Sequence, residues 1–205
     1  MNILHIDASP RIESYSRALS AGIVDRLLDA NPWGHVIRRD LGWEPIPHPT
    51  EEYARALATP TALALAQDGD ELGLSETLIR EVETADVVVI GTPMHNFTLP
   101  SALKAWVDQV LRKGRTFTSA GAGKKVGLLE DRPVYVAIAS GSVFAGEGAN
   151  QPDFLRPYLS AAFGCIGIHN VHYLPLQATS YLEPAALDAA FDALLDGFHE
   201  VCAAA

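Results

Sequence analysis

The run Val87-Val88-Val89-Ile90 limits the possible folds of this chain more than any other segment. Four consecutive β-branched residues leave no polar face, which is typical of a strand buried on both sides in a parallel sheet. Further strands are predicted at Ile3 to Ile6, Val134 to Ile138 and Val171 to Leu176, and a weaker one at Val36-Ile37. Helical patterns alternate with these strands. The sequence therefore predicts an α/β fold, with a doubly wound five-stranded parallel sheet and helices on both faces.

Five helices are predicted from apolar residues that recur at helical spacing. The first begins near Ser16, and the second covers Glu51 to Gln67 and is ended by Asp68-Gly69-Asp70. The third covers Ser75 to Thr84, with Ser75 as the N-cap. The last two cover Leu103 to Leu111 and Leu187 to Phe198. Trp106 follows the helical spacing and is interpreted as a core or dimer-contact residue. Since no repeat, low-complexity tract or linker interrupts the chain, residues 1–205 are interpreted as one domain.

The composition excludes several classes of protein. The formal net charge is -10, whereas nucleic-acid binding needs clustered Lys and Arg, so no nucleic-acid partner is expected. No apolar stretch approaches the length that spans a bilayer, and the N-terminus is typical of a strand rather than a signal peptide, so no membrane association is expected. Cys165 and Cys202 leave a single disulfide open but form no disulfide framework, which favours a cytoplasmic location.

Polar residues follow the first predicted strand, at the sheet edge where parallel sheets bind ligands. Ser9, Ser14, Tyr15 and Ser16 offer hydroxyl groups, Arg11 offers a cation, and a helix N-terminus offers free N–H groups. This combination suits a phosphate monoester. A serine N-cap preceded by a polar turn explains the same residues equally well.

The segment after the most apolar strand carries Pro93, Met94, His95, Asn96 and Phe97. Such residues at a strand end suit a flat amphipathic ligand such as an isoalloxazine ring, with Met94 and Phe97 against its face and Asn96 and backbone groups at its rim. The alternative is a rigid loop with two prolines and buried apolar anchors.

A third segment, Ser140 to Gly148, follows the fourth predicted strand and is rich in small residues, which let a backbone approach a ligand closely. A flexible surface loop has the same composition. The three segments meet at one edge of the predicted sheet, which favours a binding site there.

In their order along the chain, these segments resemble the FMN-dependent NADH-azoreductase (NADH:quinone oxidoreductase) family of flavodoxin-like proteins. The resemblance covers nearly the whole chain and lies in Ser9-Pro10-Arg11, Ser14-Tyr15-Ser16, Pro93-Met94-His95-Asn96-Phe97, Leu103 to Asp108, Arg112 to Phe117, Gly127-Leu128, Pro157-Tyr158-Leu159 and Phe163 to Gly167.

The resemblance implies a flavodoxin-like fold, tightly bound FMN, and NADH or NADPH as the co-substrate. It also implies a homodimer with active sites at the interface, which reduces quinones and azo compounds by ping-pong hydride transfer through flavin N5. The implied cofactor-binding residues are Ser9, Arg11, Ser14, Tyr15 and Ser16 for the phosphate, Pro93, Met94, His95, Asn96 and Phe97 for the ring, and Ser140, Gly141, Ser142 and Val143 for the ring edge.

Three positions depart from the family pattern. His95 stands where the family usually has Tyr, Ser140-Gly141-Ser142-Val143 replaces Ser-Arg-Gly-Gly, and Thr118 to Gly121 lacks an aromatic residue. His95 is a candidate hydrogen-bond or proton donor to flavin or acceptor, with a structural histidine as the equal alternative. No residue is assigned a certain catalytic role.

Other patterns indicate less. His169 and His172 lack a third ligand, so no metal site is expected. Gly121 to Val126 begins like a dinucleotide fingerprint but lacks its final glycine. The alternative functions are a flavodoxin-like electron carrier, a flavin-binding regulatory protein with little nicotinamide turnover, and an NADPH-dependent FMN or FAD quinone reductase of the same fold.

Overall fold

The computed structural model describes residues 1–66 and 70–203. The strands in these residues are β1 (Asn2–Asp7), β2 (His35–Asp40), β3 (Val87–Pro93), β4 (Phe117–Ser119), β5 (Lys125–Gly127), β6 (Val134–Ala139) and β7 (Val171–Leu176). The α-helices are α1 (Tyr15–Ala30), α2 (Glu51–Ala58), α3 (Pro60–Leu65), α4 (Gly73–Thr84), α5 (Ser101–Val110), α6 (Leu155–Ile166) and α7 (Pro184–Ala203). Within the described ranges, no helix combines the length and apolar composition needed to cross a membrane.

The main sheet confirms the predicted parallel arrangement. Its five described strands follow the order β2-β1-β3-β6-β7, and every neighbouring pair is parallel. The central strand β3 is buried from Val87 to Thr92, as its continuous apolar run predicts. The chain passes from β1 to β2 on one side and to β3 on the other, so the order reverses at β1. In such sheets a crevice opens at this reversal, beyond the carboxyl ends of the strands.

Both faces of the sheet are covered by helices, as predicted. Side chains alternate along β1, so that Ile3 packs on one face and Leu4 and Ile6 on the other. The first face buries Leu19, Ile23, Leu187 and Phe198 of α1 and α7, and the second buries Leu78, Leu103, Trp106, Leu159 and Phe163 of α4, α5 and α6. Trp106 is therefore a core residue.

The prediction of one helix over Glu51 to Gln67 is wrong. The structure has two helices, α2 and α3, separated at Thr59, which has an extended backbone (φ -138°, ψ 155°). Pro60 explains the break, because a residue before proline is disfavoured in the helical region. Thr59 Oγ1 then accepts from Ala62 N and caps α3. Gln67 and Asp68-Gly69 lie outside the described residues.

The N-cap predicted at Ser75 is also wrong, since α4 begins at Gly73. Ser75 is fully buried in the first turn, and its Oγ donates to Gln109 O at 2.6 Å. The hydroxyl group thus joins α4 to the end of α5 instead of capping its own helix.

Helix α6 and the strands β4 and β5 were not predicted. Helix α6 is capped by Asp153, whose Oδ1 accepts from Leu155 N and Arg156 N, and it ends at Gly167, where φ is 102°. Strands β4 and β5 form a small antiparallel hairpin, so the glycines at Gly121 and Gly123 belong to its connection. Three-residue strands are too short to show an alternating pattern in the sequence.

Candidate functional site

A cavity of about 230 Å³ lies beyond the carboxyl ends of β1, β3 and β6. It is lined by Ser9, Pro10, Arg11, Ser14, Tyr15, Pro93, Met94, His95, Ala139, Gly141, Thr179 and Ser180. A neighbouring groove of about 640 Å³ shares Arg11, Ser14 and Tyr15 with it. The combined space lies within the range of about 300–1,000 Å³ that is usual for small-molecule sites.

The cavity brings together eight of the residues predicted to bind a cofactor, namely Ser9, Arg11, Ser14, Tyr15, Pro93, Met94, His95 and Gly141. The other six, Ser16, Asn96, Phe97, Ser140, Ser142 and Val143, belong to the same three loops but do not line this cavity. All three loops therefore meet at one edge, although not every predicted side chain reaches the space between them.

The first loop, Ala8 to Ser14, leads into the first turn of α1. Ser14 occupies the N-cap position of α1, but its side chain caps no N–H group among the described residues. Its Oγ lies instead 2.9 Å from Ser16 Oγ, and Ser9 Oγ accepts from Arg11 N at 3.3 Å. The first turn of a helix leaves N–H groups without intrahelical acceptors. Hydroxyl and N–H donors therefore converge where α1 begins, which is a suitable arrangement for an anion.

Arg17 ties this loop to the end of β2. Its guanidinium donates to Ser9 O from Nη2 (2.6 Å) and Nε (3.0 Å), and to both Asp40 carboxylate oxygens at 2.6 and 2.7 Å. The hydrogen bonds from Arg17 lower the pKa of Asp40. A Cβ at Gly42 would lie 2.0 Å from Ser9 O, so the turn after β2 packs directly on the loop. We call Ser9, Arg17, Asp40 and Gly42 the first-loop brace.

A buried polar cluster lies beneath the brace. Ser20 Oγ donates to Asp7 Oδ1 at 3.0 Å and lies 3.0 Å from His5 Nε2, and Arg38 Nη2 donates to Asp7 Oδ2 at 3.0 Å. Burial alone would raise the pKa of Asp7. The interactions with His5, Arg38 and Ser20 outweigh burial, and the pKa of Asp7 is lowered. The floor below the first loop therefore carries a paired carboxylate.

The second loop, Pro93 to Pro100, contains a strained turn. His95 and Thr98 exchange backbone hydrogen bonds, His95 N to Thr98 O at 2.9 Å and Thr98 N to His95 O at 3.0 Å. The two residues between them have positive φ, 47° at Asn96 and 70° at Phe97. Asparagine tolerates this region, but a bulky aromatic residue rarely adopts it. Phe97 is nevertheless 44% exposed, so its conformation is not explained by burial in the core.

A fourth loop, Gln177 to Leu182, was not predicted as part of the site. Thr179 donates to Ser140 O from both its backbone N (3.0 Å) and its Oγ1 (3.2 Å). A Cβ at Gly141 would lie 2.6 Å from Ser180 Oγ, so Ser180 fills the space beside that glycine. The signal that could have found this loop is its position after the strand Val171 to Leu176, which ends at the same sheet edge.

Among the described residues, His169 and His172 are not joined by a third side chain that could bind a metal ion. His172 Nε2 lies 2.6 Å from Asn170 Oδ1, and its ring stacks on Tyr135. Over residues 1–66 and 70–203, no group of three or more His, Cys, Asp or Glu side chains is arranged to hold a metal ion.

Comparison with known proteins agrees with this geometry. A family model described as flavodoxin-like fold matches residues 1–200. An FMN-dependent NADH:quinone oxidoreductase of Pseudomonas fluorescens is 45% identical over 197 residues, which cover 94% of this chain and 93% of that protein. Another FMN-dependent NADH:quinone oxidoreductase, from Burkholderia lata, is 46% identical over 193 residues, which cover 92% of this chain and 90% of that protein.

Solved structures show the same fold. The azoreductase of Bacillus anthracis strain Sterne superimposes with a TM-score of 0.84 at 22% identity, covering 98% of each chain. An FMN-dependent NADH-azoreductase from Bacillus anthracis strain Ames Ancestor, solved with FMN, gives a TM-score of 0.80 at 22% identity, again covering 98% of each chain. With its full-length relatives and its fold taken together, the chain belongs to the flavodoxin-like family and, within it, to the FMN-dependent NADH:quinone oxidoreductases.

Proposed function

We propose that this protein is an FMN-dependent NADH:quinone oxidoreductase that also cleaves aromatic azo compounds reductively. The observation that carries the proposal is the 45% identity to a quinone oxidoreductase over nearly the full length of both chains. The cavity at the sheet edge supports it, since three loops expected to hold a flavin line that cavity.

The first loop fits the FMN phosphate. Ser9, Ser14, Tyr15 and Ser16 supply hydroxyl groups, α1 supplies N–H groups at its first turn, and Arg11 lines the cavity as a cation. Ser16 is fully buried, so its hydroxyl would act from beneath Ser14. A phosphate dianion placed here is stabilised by the positive end of the α1 dipole.

The second and third loops fit the flavin ring. Pro93, Met94 and His95 line the cavity, and Asn96 and Phe97 follow them on the strained turn. Ser140, Gly141, Ser142 and Val143 close the ring edge, with the side wall at Gly141 formed by Ser180. When bound, FMN supplies hydride transfer between the nicotinamide and the acceptor. The side chains orient the ring and exclude water, and His95 is the candidate hydrogen-bond or proton donor to flavin or acceptor.

Exposed apolar side chains support a homodimer whose partner completes the site. Large apolar residues are exposed in the loops around the cavity, and they are Ile12, Tyr15, Phe97, Phe154, Tyr181 and Leu182. Trp33, Trp43, Val126 and Leu128 are exposed as well, but a group of exposed apolar residues beside a cavity often marks an interaction site. A second copy of the chain, related by a two-fold axis, would bury these residues and cover the ring. Sedimentation analysis at micromolar concentration is expected to give twice the 22.0 kDa chain mass.

The co-substrate is NADH or NADPH, and the acceptor is a quinone or an azo compound. The cysteine content favours the cytoplasm as the location, and Cys165 is a free thiol among the described cysteines.

The proposal is tested by purifying the full chain, identifying any bound flavin, and measuring NADH and NADPH oxidation with benzoquinone and methyl red. FMN that is retained, bleached by NADH and reoxidised by benzoquinone is the expected result. A colourless protein that cannot be reconstituted with FMN would overturn it. Bound FAD would instead indicate the related quinone reductases, and FMN that NADH bleaches very slowly would indicate an electron carrier.

A further inference from the structure

Gln151 connects the second and third loops through one side chain. Its Nε2 donates to Ser140 Oγ at 2.9 Å and to Met94 Sδ at 3.2 Å. Its backbone N donates to Val143 O at 3.3 Å, which closes the third loop on itself. Gln151 is absent from both the sequence-predicted site and the residues that line the cavity.

The chemistry of the partners determines how the amide is oriented. Met94 Sδ can only accept a hydrogen bond, and Ser140 Oγ already accepts one from Ser142 N at 3.3 Å. Met94 therefore requires the NH₂ group of Gln151 and not its carbonyl oxygen, and the same nitrogen lies 2.9 Å from Ser140 Oγ. A carboxylate at this position would offer acceptors only.

Met94 gains most from such a bond. Methionine has three rotatable side-chain bonds and readily repacks, so a methionine that lines a cavity defines its shape poorly unless something holds its sulfur. By bonding both Met94 Sδ and Ser140 Oγ, Gln151 fixes the distance between the second loop and the start of the third loop. We infer that Gln151 is a positioning residue that sets the distance between the two loops enclosing the flavin ring, without contacting the ring itself.

This inference rests on the proposed function. Comparing the binding of FMN with that of riboflavin distinguishes failure of the inference from failure of the proposed function. Riboflavin lacks the phosphate of FMN, so it depends on the ring side of the site alone. In the flavin-free full chain, Gln151→Leu is expected to weaken FMN and riboflavin to the same extent, about five- to tenfold, because two modest hydrogen bonds are lost. Flavin fluorescence quenching measures both affinities, and visible circular dichroism of the bound flavin should change in the same variant.

Gln151→Glu supplies a second readout, which a merely structural residue would not move. A protonated glutamic acid can donate where the carboxylate cannot, and partial burial favours protonation. Ser140 Oγ can donate to a carboxylate, whereas Met94 Sδ cannot. The variant should therefore bind riboflavin about fivefold more weakly than the unmodified protein near pH 8 and recover at least about half of that loss near pH 4, below the ordinary pKa of glutamic acid.

The other titratable groups are common to both proteins. His95, Arg11 and Tyr15 line the cavity, and Asp153 and Arg156 follow Gln151 in the chain. Their titration cancels in the ratio of variant to unmodified affinity. Glu147→Gln, a change at an exposed position of the same loop, is the matched control and should leave that ratio constant with pH.

Three results would overturn the inference: flavin affinities of Gln151→Leu unchanged within about twofold, a loss for FMN without one for riboflavin, or a Gln151→Glu ratio that does not vary with pH. Thermal unfolding of each flavin-free variant checks that it is folded. Failure of the unmodified protein to bind either flavin would contradict the proposed function instead.

Discussion

The two halves of the candidate flavin site are built by different means. On the phosphate side, the first-loop brace joins Arg17, Asp40 and Ser9 through charged hydrogen bonds, with a buried carboxylate beneath. On the ring side, loops are joined by neutral hydrogen bonds, and Phe97 and Phe154 remain exposed.

This difference concerns how firmly each half is held before a ligand binds. Charge-assisted hydrogen bonds are about twice as strong as neutral ones, so the phosphate side is organised before any ligand binds. Exposed apolar residues lie on both sides, Ile12 and Tyr15 on one and Phe97 and Phe154 on the other. The strained turn belongs to the ring side alone, and a bound flavin would explain it. Four substitutions test this comparison.

The largest effect is expected from Arg17→Met. Ser9 O would lose both guanidinium donors, and Asp40 would keep only its hydrogen bonds from Gly42 N and Trp43 N. We therefore expect the free energy of unfolding to fall by about 3 kcal/mol. FMN affinity should fall about 100-fold, whereas riboflavin affinity should change by less than about threefold, because only the phosphate side is disturbed. Urea unfolding and flavin titration measure these changes.

Arg26→Met is the matched control for Arg17→Met, since Arg26 lies on the same helix and pairs with the exposed Asp196. A surface pair of this kind contributes about 0–1 kcal/mol. Equal losses of FMN and riboflavin affinity in Arg17→Met would contradict the division of the site into two halves.

Asp40→Asn is expected to have the next largest effect, about 2 kcal/mol of stability at neutral pH. Arg17 lowers the folded-state pKa of Asp40 from its ordinary value of 3.8, so its contribution is present above that value and is lost as the pH falls through the lower folded-state pKa. The variant should therefore lose stability less steeply than the unmodified protein below about pH 4. Unfolding between neutral and acidic pH measures this, with the exposed Asp196→Asn as control. Parallel pH curves would refute the brace as a source of acid sensitivity.

His95→Phe probes the ring side. If His95 donates a hydrogen bond or proton to flavin or acceptor, turnover with benzoquinone should fall about tenfold in His95→Phe. His172→Phe, which changes a ring stacked on Tyr135 away from the cavity, should leave turnover unchanged. Unchanged turnover in His95→Phe would show that the histidine is structural.

The smallest effect is expected from Phe97→Asn. Asparagine tolerates the positive φ of 70°, so the flavin-free protein should gain about 0.5–1 kcal/mol of stability. Both flavins should bind about threefold more weakly because an apolar contact is removed. Tyr181→Asn, at another exposed aromatic residue, should give no such stabilisation. A destabilised Phe97→Asn protein would mean that the turn is not strained.

The fold was predictable wherever burial leaves a continuous signal. Strand β7 has the predicted bounds, Val171–Leu176, and β3 was recognised because both of its faces are buried. Helix α6 was not predicted. Ser75 was wrongly predicted as an N-cap, because the hydroxyl group of Ser75 donates to Gln109 O, 34 residues away. Local patterns carry no record of such a partner.

The site was predictable for the loops and less so for individual side chains. The carboxyl ends of β1, β3 and β6 had to meet at one edge, and they do. Thr179 and Ser180 were missed because their composition is that of an ordinary turn. They reach the cavity because Ala139 and Leu176 lie opposite each other in the register of β6 and β7.

By itself, the sequence determined the parallel sheet and the sheet edge where the three loops meet, because apolar periodicity and the order of the elements can be read along the chain. Its resemblance to known proteins implied the flavodoxin-like fold. Tertiary structure alone decided how that edge is held together. Arg17 meets Asp40 across 23 residues, and Gln151 meets Met94 across 57. These bonds form only after the sheet has brought the strand ends together, because the geometry of a hydrogen bond depends on where the folded backbone places its donor and acceptor.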